Sequence, residues 1–284
     1  MSQTSKTSKT PQITLNDGSR IPAIGFGTYP MVGQAGFDGT ASAIANGYRL
    51  IDSAVNYENE GAVGAAIRAS GIRDEITVQT KLAGRHHETE RAVQAGWESR
   101  YRLGLDQIDV MLIHWPNHST GKYVEAWRGL VELQQQGVVR TIGVSNFAEQ
   151  HLREIIADSG VTPAVNQIEL HPRFPQPEML EVHRELGIQT QAWSPLGKRQ
   201  APFDESAVVA AAEAHSVTPA QAILRWHVQR GVVPMPKSAT PERQVTNLDV
   251  FGFELTDAEV QSISQLAQAD GRLFGGDPLT HEEM

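Results

Sequence analysis

The sequence predicts an α/β fold: a (β/α)8 barrel with an N-terminal β-hairpin plug and a C-terminal helix plus tail. Three observations carry the expectation. Eight strand-like segments alternate with helical ones. That number closes a parallel barrel, whereas a doubly wound sheet generally has about five or six strands and a Gly-rich first turn. Glycines 71, 137, 160, 187 and 231 follow helical stretches, the place where a left-handed residue ends a helix without a Cβ clash. The chain has 284 residues and no composition shift or linker, matching a fold that uses roughly 250 residues around one core.

In chain order, residues 1–11 form a polar start without an apolar run and are expected to be disordered, leaving 12–284 as a single barrel domain. From Gln12 to Ile24 two apolar-containing runs flank Asn16-Asp17-Gly18, whose middle residues tolerate positive φ, so this segment reads as the hairpin. Strand-like runs fall at 24–28, 50–54, 76–81, 110–114, 141–144, 164–170, 189–194 and 232–236. Helical spacing occupies 40–47, 60–69, 88–103, 123–136, 150–157, 177–186 and the pair 207–215 and 219–229. Thr218-Pro219-Ala220-Gln221 and Thr256-Asp257-Ala258-Glu259 are start signals, because the threonine hydroxyl can accept an orphan amide of the first turn. The second opens a last helix, followed by an irregular tail.

Composition removes several functions. Lys plus Arg number 24 and Asp plus Glu 33, so the net charge is 24 − 33 = −9, which opposes attraction to nucleic acid or anionic lipid. Without cysteine there is no disulfide, thiolate metal site or cysteine nucleophile. No apolar run approaches the roughly 20 residues that span a bilayer, and the polar start lacks a signal-peptide core. A soluble, cytoplasmic monomer acting on a small molecule is expected, with no nucleic-acid, membrane or obligate protein partner.

The chemistry lies at the strand ends. Three consecutive strands finish in a lone ionisable residue: Asp52, Lys81 and His114. Side chains at the C-terminal strand ends of a barrel face one bowl, and the polar segment after Asp52 should hold Tyr57 above it. A phenol with a pKa of about 10 is a weak acid at neutral pH, but a nearby ammonium lowers that value. Lys81 is expected to do this to Tyr57, Asp52 to balance the lysine, and His114 to orient a carbonyl. Such a set protonates an oxygen while a hydride from a cofactor attacks carbon. Taken singly, Asp52 reads as a cap, Lys81 as a surface lysine and His114 as a core histidine; their succession on three strands favours the active site.

At this point the chain resembles the aldo-keto reductase superfamily, from Ile13 to about Arg272. The motifs are Gly25-Phe26-Gly27-Thr28-Tyr29, the run from Arg49 through Asp52 and Tyr57 to Glu60, Val110 to Pro116, Gly143-Val144-Ser145-Asn146-Phe147, Asn166-Gln167-Ile168-Glu169 and Pro236 to Arg243. The resemblance implies a TIM barrel, a catalytic set of Asp52, Tyr57, Lys81 and His114 with Tyr57 as proton donor, and NADPH or NADP as cofactor. It implies cofactor contacts from Gly27, Thr28, Tyr29 and Asp52, and from Ser145, Asn146 and Gln167 on the nicotinamide carboxamide. Trp193 would stack on the nicotinamide face. Many members have tyrosine there, and tryptophan is similar to the bacterial 2,5-diketo-D-gluconate-reductase-like branch. Ser194, Pro195, Leu196 and Gly197 follow the seventh strand, and Lys237, Ser238, Ala239 and Thr240 the eighth, the loops that hold phosphate in many barrels. Arg243 would grip the 2′-phosphate and Asn247 face the adenine, although Thr246 departs from the glutamate of many members. Tyr29, Tyr57, His114 and Trp115 would line the substrate pocket, with Arg272-Leu273-Phe274 folding over it. The short loop after His114 points to small or polar carbonyl compounds, such as keto-sugar acids or 2-oxoaldehydes.

Two other functions share the fold: an NADPH-binding redox-sensing module with little turnover, and a metal-dependent hydrolase or isomerase using His114, Glu169 and His171. The intact catalytic set disfavours the first. No metal is expected, because Arg91 stands where a His-Glu-x-x-His helix from His87 would place its second ligand. Gly143 to Phe147 lacks the last glycine of a nucleophile elbow, and no phosphate loop of the Gly-Lys-Ser/Thr kind occurs.

Overall fold

The computed structural model describes residues 10–283; of the start expected to be disordered, 1–9 lie outside the described residues. The Pro11 carbonyl accepts a hydrogen bond from the Ala23 amide at 2.9 Å. Strands β1 (Gln12–Thr14) and β2 (Arg20–Pro22) pair antiparallel, with Ile13 opposite Ile21. Leu15 and Ile21 share one buried apolar cluster with Leu50, Val165 and Val233, the first residues of three barrel strands, and with Val110 and Leu112. The hairpin therefore plugs the mouth opposite the predicted site.

Eight parallel strands follow: β3 (Phe26–Gly27), β4 (Leu50–Asp52), β5 (Thr77–Leu82), β6 (Ile108–Ile113), β7 (Val139–Ser145), β8 (Val165–Glu169), β9 (Gln189–Trp193) and β10 (Val233–Met235). Each pairs with the next in sequence. The sheet closes where the amides of Gly25 and Gly27 donate to the carbonyls of Pro234 and Pro236, both at 3.0 Å. Glycine keeps this seam uncrowded: a Cβ on Gly25 would lie 2.3 Å from Met235 Sδ, and one on Gly27 3.2 Å from the Met235 carbonyl oxygen. The result is the TIM barrel read from the sequence, because each strand carries buried apolar residues facing either the interior or the helices.

The helices are α1 (Gly33–Ala45), α2 (Glu60–Ser70), α3 (Thr89–Leu103), α4 (Tyr123–Gln135), α5 (Glu149–Ser159), α6 (Pro177–Leu186), α7 (Ser206–Ala214), α8 (Pro219–Gln229), α9 (Pro241–Leu248) and α10 (Asp257–Ser264). The two predicted threonine caps are present: Thr218 Oγ1 accepts from the Gln221 amide and Thr256 Oγ1 from the Glu259 amide, each at 3.3 Å. Helix α1 begins at Gly33 rather than 40. Its early turns hold Gly36 and Gly39, which dilute the apolar spacing but let the helix lie close to Met31. A Cβ would approach the Met31 carbonyl oxygen to 3.0 Å from Gly36 and the Met31 sulfur to 2.7 Å from Gly39. Among the described residues no helix is long and apolar enough to cross a membrane.

Candidate active site

Asp52 ends β4, Lys81 is next to last in β5, and His114 directly follows β6, so adjacent parallel strands deliver all three to one mouth. Lys81 is fully buried and Asp52 nearly so. The ammonium is 2.7 Å from each Asp52 oxygen and donates to the Ser53 carbonyl at 2.9 Å. Three acceptors for three protons make burial of a lysine tolerable. Burial lowers the Lys81 pKa, and Asp52 opposes that shift.

Tyr57 sits in the short 3-10 turn Val55–Tyr57, which Glu58 leaves with φ 53°. Asn59 braces the loop: its side chain donates to Thr28 Oγ1 at 3.0 Å and to the Met31 carbonyl at 2.9 Å, and accepts from Ser53 Oγ at 2.6 Å. Lys81 Nζ is 5.0 Å from the Tyr57 ring centre, His114 meets that ring edge-on at 5.6 Å, and Tyr29 lies 5.0 Å away. The structure thus brings together all four residues of the expected catalytic set.

One expectation is corrected. Lys81 does not acidify Tyr57 here; burial, then the negative charges of Asp52 and Glu283, push the phenol well above its ordinary value. The lysine's charge is spent on Asp52 2.7 Å away, so the phenol stays protonated.

Two glutamines beneath the site went unread in the sequence. Gln79 Nε2 donates to Asp52 Oδ1 at 2.6 Å and to Gln191 Oε1 at 2.8 Å, while Gln167 Nε2 reaches the same two oxygens at 3.2 and 3.0 Å. This buried layer fixes the Asp52 carboxylate. The available signal was spacing: Gln79 and Gln191 stand two residues before Lys81 and Trp193, on the same face of their strands.

Several residues expected on the cofactor side are hydrogen-bonded to one another. Ser145 Oγ donates to the Gln167 carbonyl at 2.8 Å, and Asn146 Nδ2 donates to the His114 carbonyl at 2.9 Å and to Ser145 Oγ at 3.1 Å. Trp193, half-buried, donates from Nε1 to Asn146 Oδ1 at 2.7 Å, so the edge of its ring meets that amide. After β9, Ser194, Pro195, Leu196 and Gly197 turn sharply, with φ 49° at Ser194 and 78° at Gly197. After β10, Ser238 Oγ accepts from the Thr240 amide at 3.1 Å while Lys237, Ala239, Thr240 and Arg243 are exposed. Neither Lys237 nor Arg243 forms a salt bridge among the described residues, so two cations face solvent near the start of α9. Asn247 is buried in that helix. Gly27 and Thr28 are buried, the latter donating to the Asp52 carbonyl at 2.9 Å, and Tyr29 is about half exposed.

The tail crosses this mouth. The Leu273 amide donates to Glu169 Oε1 at 2.5 Å, and Lys198 Nζ lies 4.4 Å from the ring centre of exposed Phe274. Trp115 packs on His281 with ring centres 4.1 Å apart. A cavity of about 210 Å³ beneath the tail is lined by residues including Asn146, Phe147, Glu169, Arg272 and Leu279. Glu169 and His171 pair at 2.9 Å in a buried contact, and among the described residues no group of three His, Asp or Glu side chains is placed to hold a metal. Further along, Glu283 places Oε1 2.6 Å from His114 Nδ1, a contact the sequence did not suggest. Burial raises the Glu283 carboxyl, but His114, Asn56 and the Gly84 amide outweigh it and hold it below its usual range.

Residues 23–268 match the model of the Aldo/keto reductase family. Over 275 residues the chain is 52% identical to 2,5-diketo-D-gluconic acid reductase B of Corynebacterium sp., covering 96% of this chain and 99% of that protein. Among solved structures, a Gox0644 mutant in complex with NADPH is similar with a TM-score of 0.92 and 40% identity, over 96% of this chain and 99% of the other. The Bombyx mori aldo-keto reductase in complex with NADP gives a TM-score of 0.85 at 35% identity, over 91% and 93% of the two chains.

Proposed function

The chain belongs to the aldo/keto reductase family, and from that premise we propose that it reduces small or polar aldehydes or ketones to alcohols with NADPH, Tyr57 supplying the proton. Keto-sugar acids and 2-oxoaldehydes are the substrate classes favoured, supported by the 52% identity to a diketogluconic acid reductase and by the tail that narrows the mouth. The observation that carries the reading is the meeting of Tyr57, Lys81, Asp52 and His114 at one end of the barrel.

The residues fit the cofactor. Exposed Lys237 and Arg243, without a carboxylate partner among the described residues, suit the phosphates, and guanidinium geometry suits the 2′-phosphate. Ser194 to Gly197 and Ser238 to Thr240 would supply further phosphate contacts, Asn247 the adenine side, and Ser145, Asn146, Gln167 and the Trp193 face the nicotinamide end, beside Gly27, Thr28, Tyr29 and Asp52. When bound, NADPH supplies the hydride that reduces the carbonyl carbon.

The protein's own part is proton transfer and orientation. His114 hydrogen-bonds the carbonyl oxygen among Tyr29, Tyr57 and Trp115. The protonated phenol of Tyr57 donates to that oxygen as negative charge develops on it. The phenolate left behind has the Lys81 ammonium 5.0 Å from its ring centre, a cation whose charge is largely offset by Asp52, so the phenol serves as a donor only while the carbonyl oxygen is gaining negative charge.

Steady-state NADPH oxidation against a panel of aldehydes and ketones tests the proposal. Turnover with at least one polar carbonyl class is expected. Tight NADPH binding with no consumption across the panel would replace it with a redox-sensing role.

A further inference from the structure

We propose that Glu283 is a positioning residue for His114, carried to the site by the C-terminal tail; the inference rests on the reductase reading and deepens it. Its carboxylate is largely buried, with Oε1 2.6 Å from His114 Nδ1 and Oε2 3.3 Å from the Gly84 amide that donates to it. The Nδ1 contact lies off the direction of an aligned hydrogen bond and becomes an ion pair when the imidazole carries both protons.

The chain is built to bring this carboxylate here. Asn117 grips the Glu283 backbone from both sides, accepting from its amide at 2.8 Å and donating to its carbonyl. Glu282 Oε1 accepts from the Ser119 amide at 2.9 Å, and His281 packs at a tilt on Trp115. Gly84 makes the room, since a Cβ there would lie 2.3 Å from the Glu283 carbonyl oxygen. At the far end of the tail, Gly271 does the same against Arg173, whose carbonyl oxygen a Cβ would approach to 2.0 Å, and the Leu273 amide is tied to Glu169.

An imidazole held through Nδ1 is left with Nε2 for the substrate. A neutral ring with its proton on Nδ1, the nitrogen facing Glu283, offers only a lone pair at Nε2. The ring with both nitrogens protonated presents Nε2–H to a carbonyl oxygen, with the Glu283 carboxylate beside Nδ1 as its counter-charge. The carboxylate therefore fixes both the rotation of His114 and the atom it presents, as the third member of a catalytic triad does for its histidine.

The test compares Glu283→Gln, Glu283→Ala and Glu283→Asp in the full chain. Glu283→Gln should lower kcat with a good aldehyde about ten- to hundredfold, as misorientation of a reacting group does, with NADPH affinity and Tm unchanged. Glu283→Asp should recover part of kcat, and added formate should restore part of it in Glu283→Ala. Parental kcat in Glu283→Gln would overturn the inference and leave the reductase reading intact. A gain in kcat on removing the carboxylate would overturn it too, showing that the tail obstructs substrate. A parent chain inert toward every carbonyl would overturn both.

Discussion

Lys81 Nζ lies 2.7 Å from each carboxylate oxygen of Asp52, and the lysine is wholly shielded from solvent. Each group is tolerable inside the barrel because the other is there. Asp52→Ala, which strands a buried ammonium, is expected to cost about 3–5 kcal/mol of stability. The double change Asp52→Leu with Lys81→Met should cost clearly less than the two single changes added. Urea unfolding of the parent, Asp52→Leu, Lys81→Met and the double variant checks this, and strict additivity would show the pair to be uncoupled.

Tyr57→Phe removes the proposed proton source but keeps the ring against Tyr29 and His114. Turnover should fall by about 10²–10⁴, the usual contribution of a positioned acid, while NADPH affinity stays near that of the parent. Fluorescence titration and carbonyl turnover separate the two effects. Parental turnover would mean that another group donates the proton.

Arg243→Met and Lys237→Met should each raise KM for NADPH, by about ten- to a hundredfold if one charge-assisted hydrogen bond of about 1.5–3 kcal/mol is lost. For Arg243→Met, the KM for NADH should barely move. Both side chains are exposed and have no salt bridge among the described residues, so Tm should hold. Equal losses with the two cofactors in Arg243→Met would place the 2′-phosphate elsewhere.

His183 and His227 predict acid lability. Burial pushes each down to about 3, well below the ordinary 6.5. Thr190 and Asn166 hold His183 neutral, and the Pro195 carbonyl accepts from His227 at 2.9 Å. With the folded pKa depressed, stability is complete above about pH 6.5 and is lost as pH falls toward 3, because only the unfolded chain takes up the protons. Each histidine costs about 1.4 kcal/mol per pH unit within that window. Denaturant unfolding at steps from pH 7 to 4.5 should show it, with His183→Gln reducing the slope by one proton; an unchanged slope would show that His183 titrates alike in both states.

The strand tips are legible because Asp52, Lys81 and His114 each end a strand-like run, and a single ionisable residue at the end of such a run has few places to go. Helix α1 was readable only from its second half, since Gly36 and Gly39 serve packing against Met31 and erase the apolar period. The sign of the Tyr57 shift was misread because charge order along strands is visible in a sequence, while depth of burial is not. Gln79 and Gln191 follow the two-residue strand repeat but look like ordinary polar residues until their partners are known. Glu283 lies 283 − 114 = 169 residues from His114, in a tail without periodicity, so no local pattern announces their meeting.

The glycine seam has a consequence for biosynthesis. The amides of Gly25 and Gly27 find their acceptors only at Pro234 and Pro236, so a growing polypeptide carries β3 as a bare edge until nearly all of it has left the ribosome. Truncated products ending before Val233 would be curled sheets with two adhesive margins rather than smaller barrels.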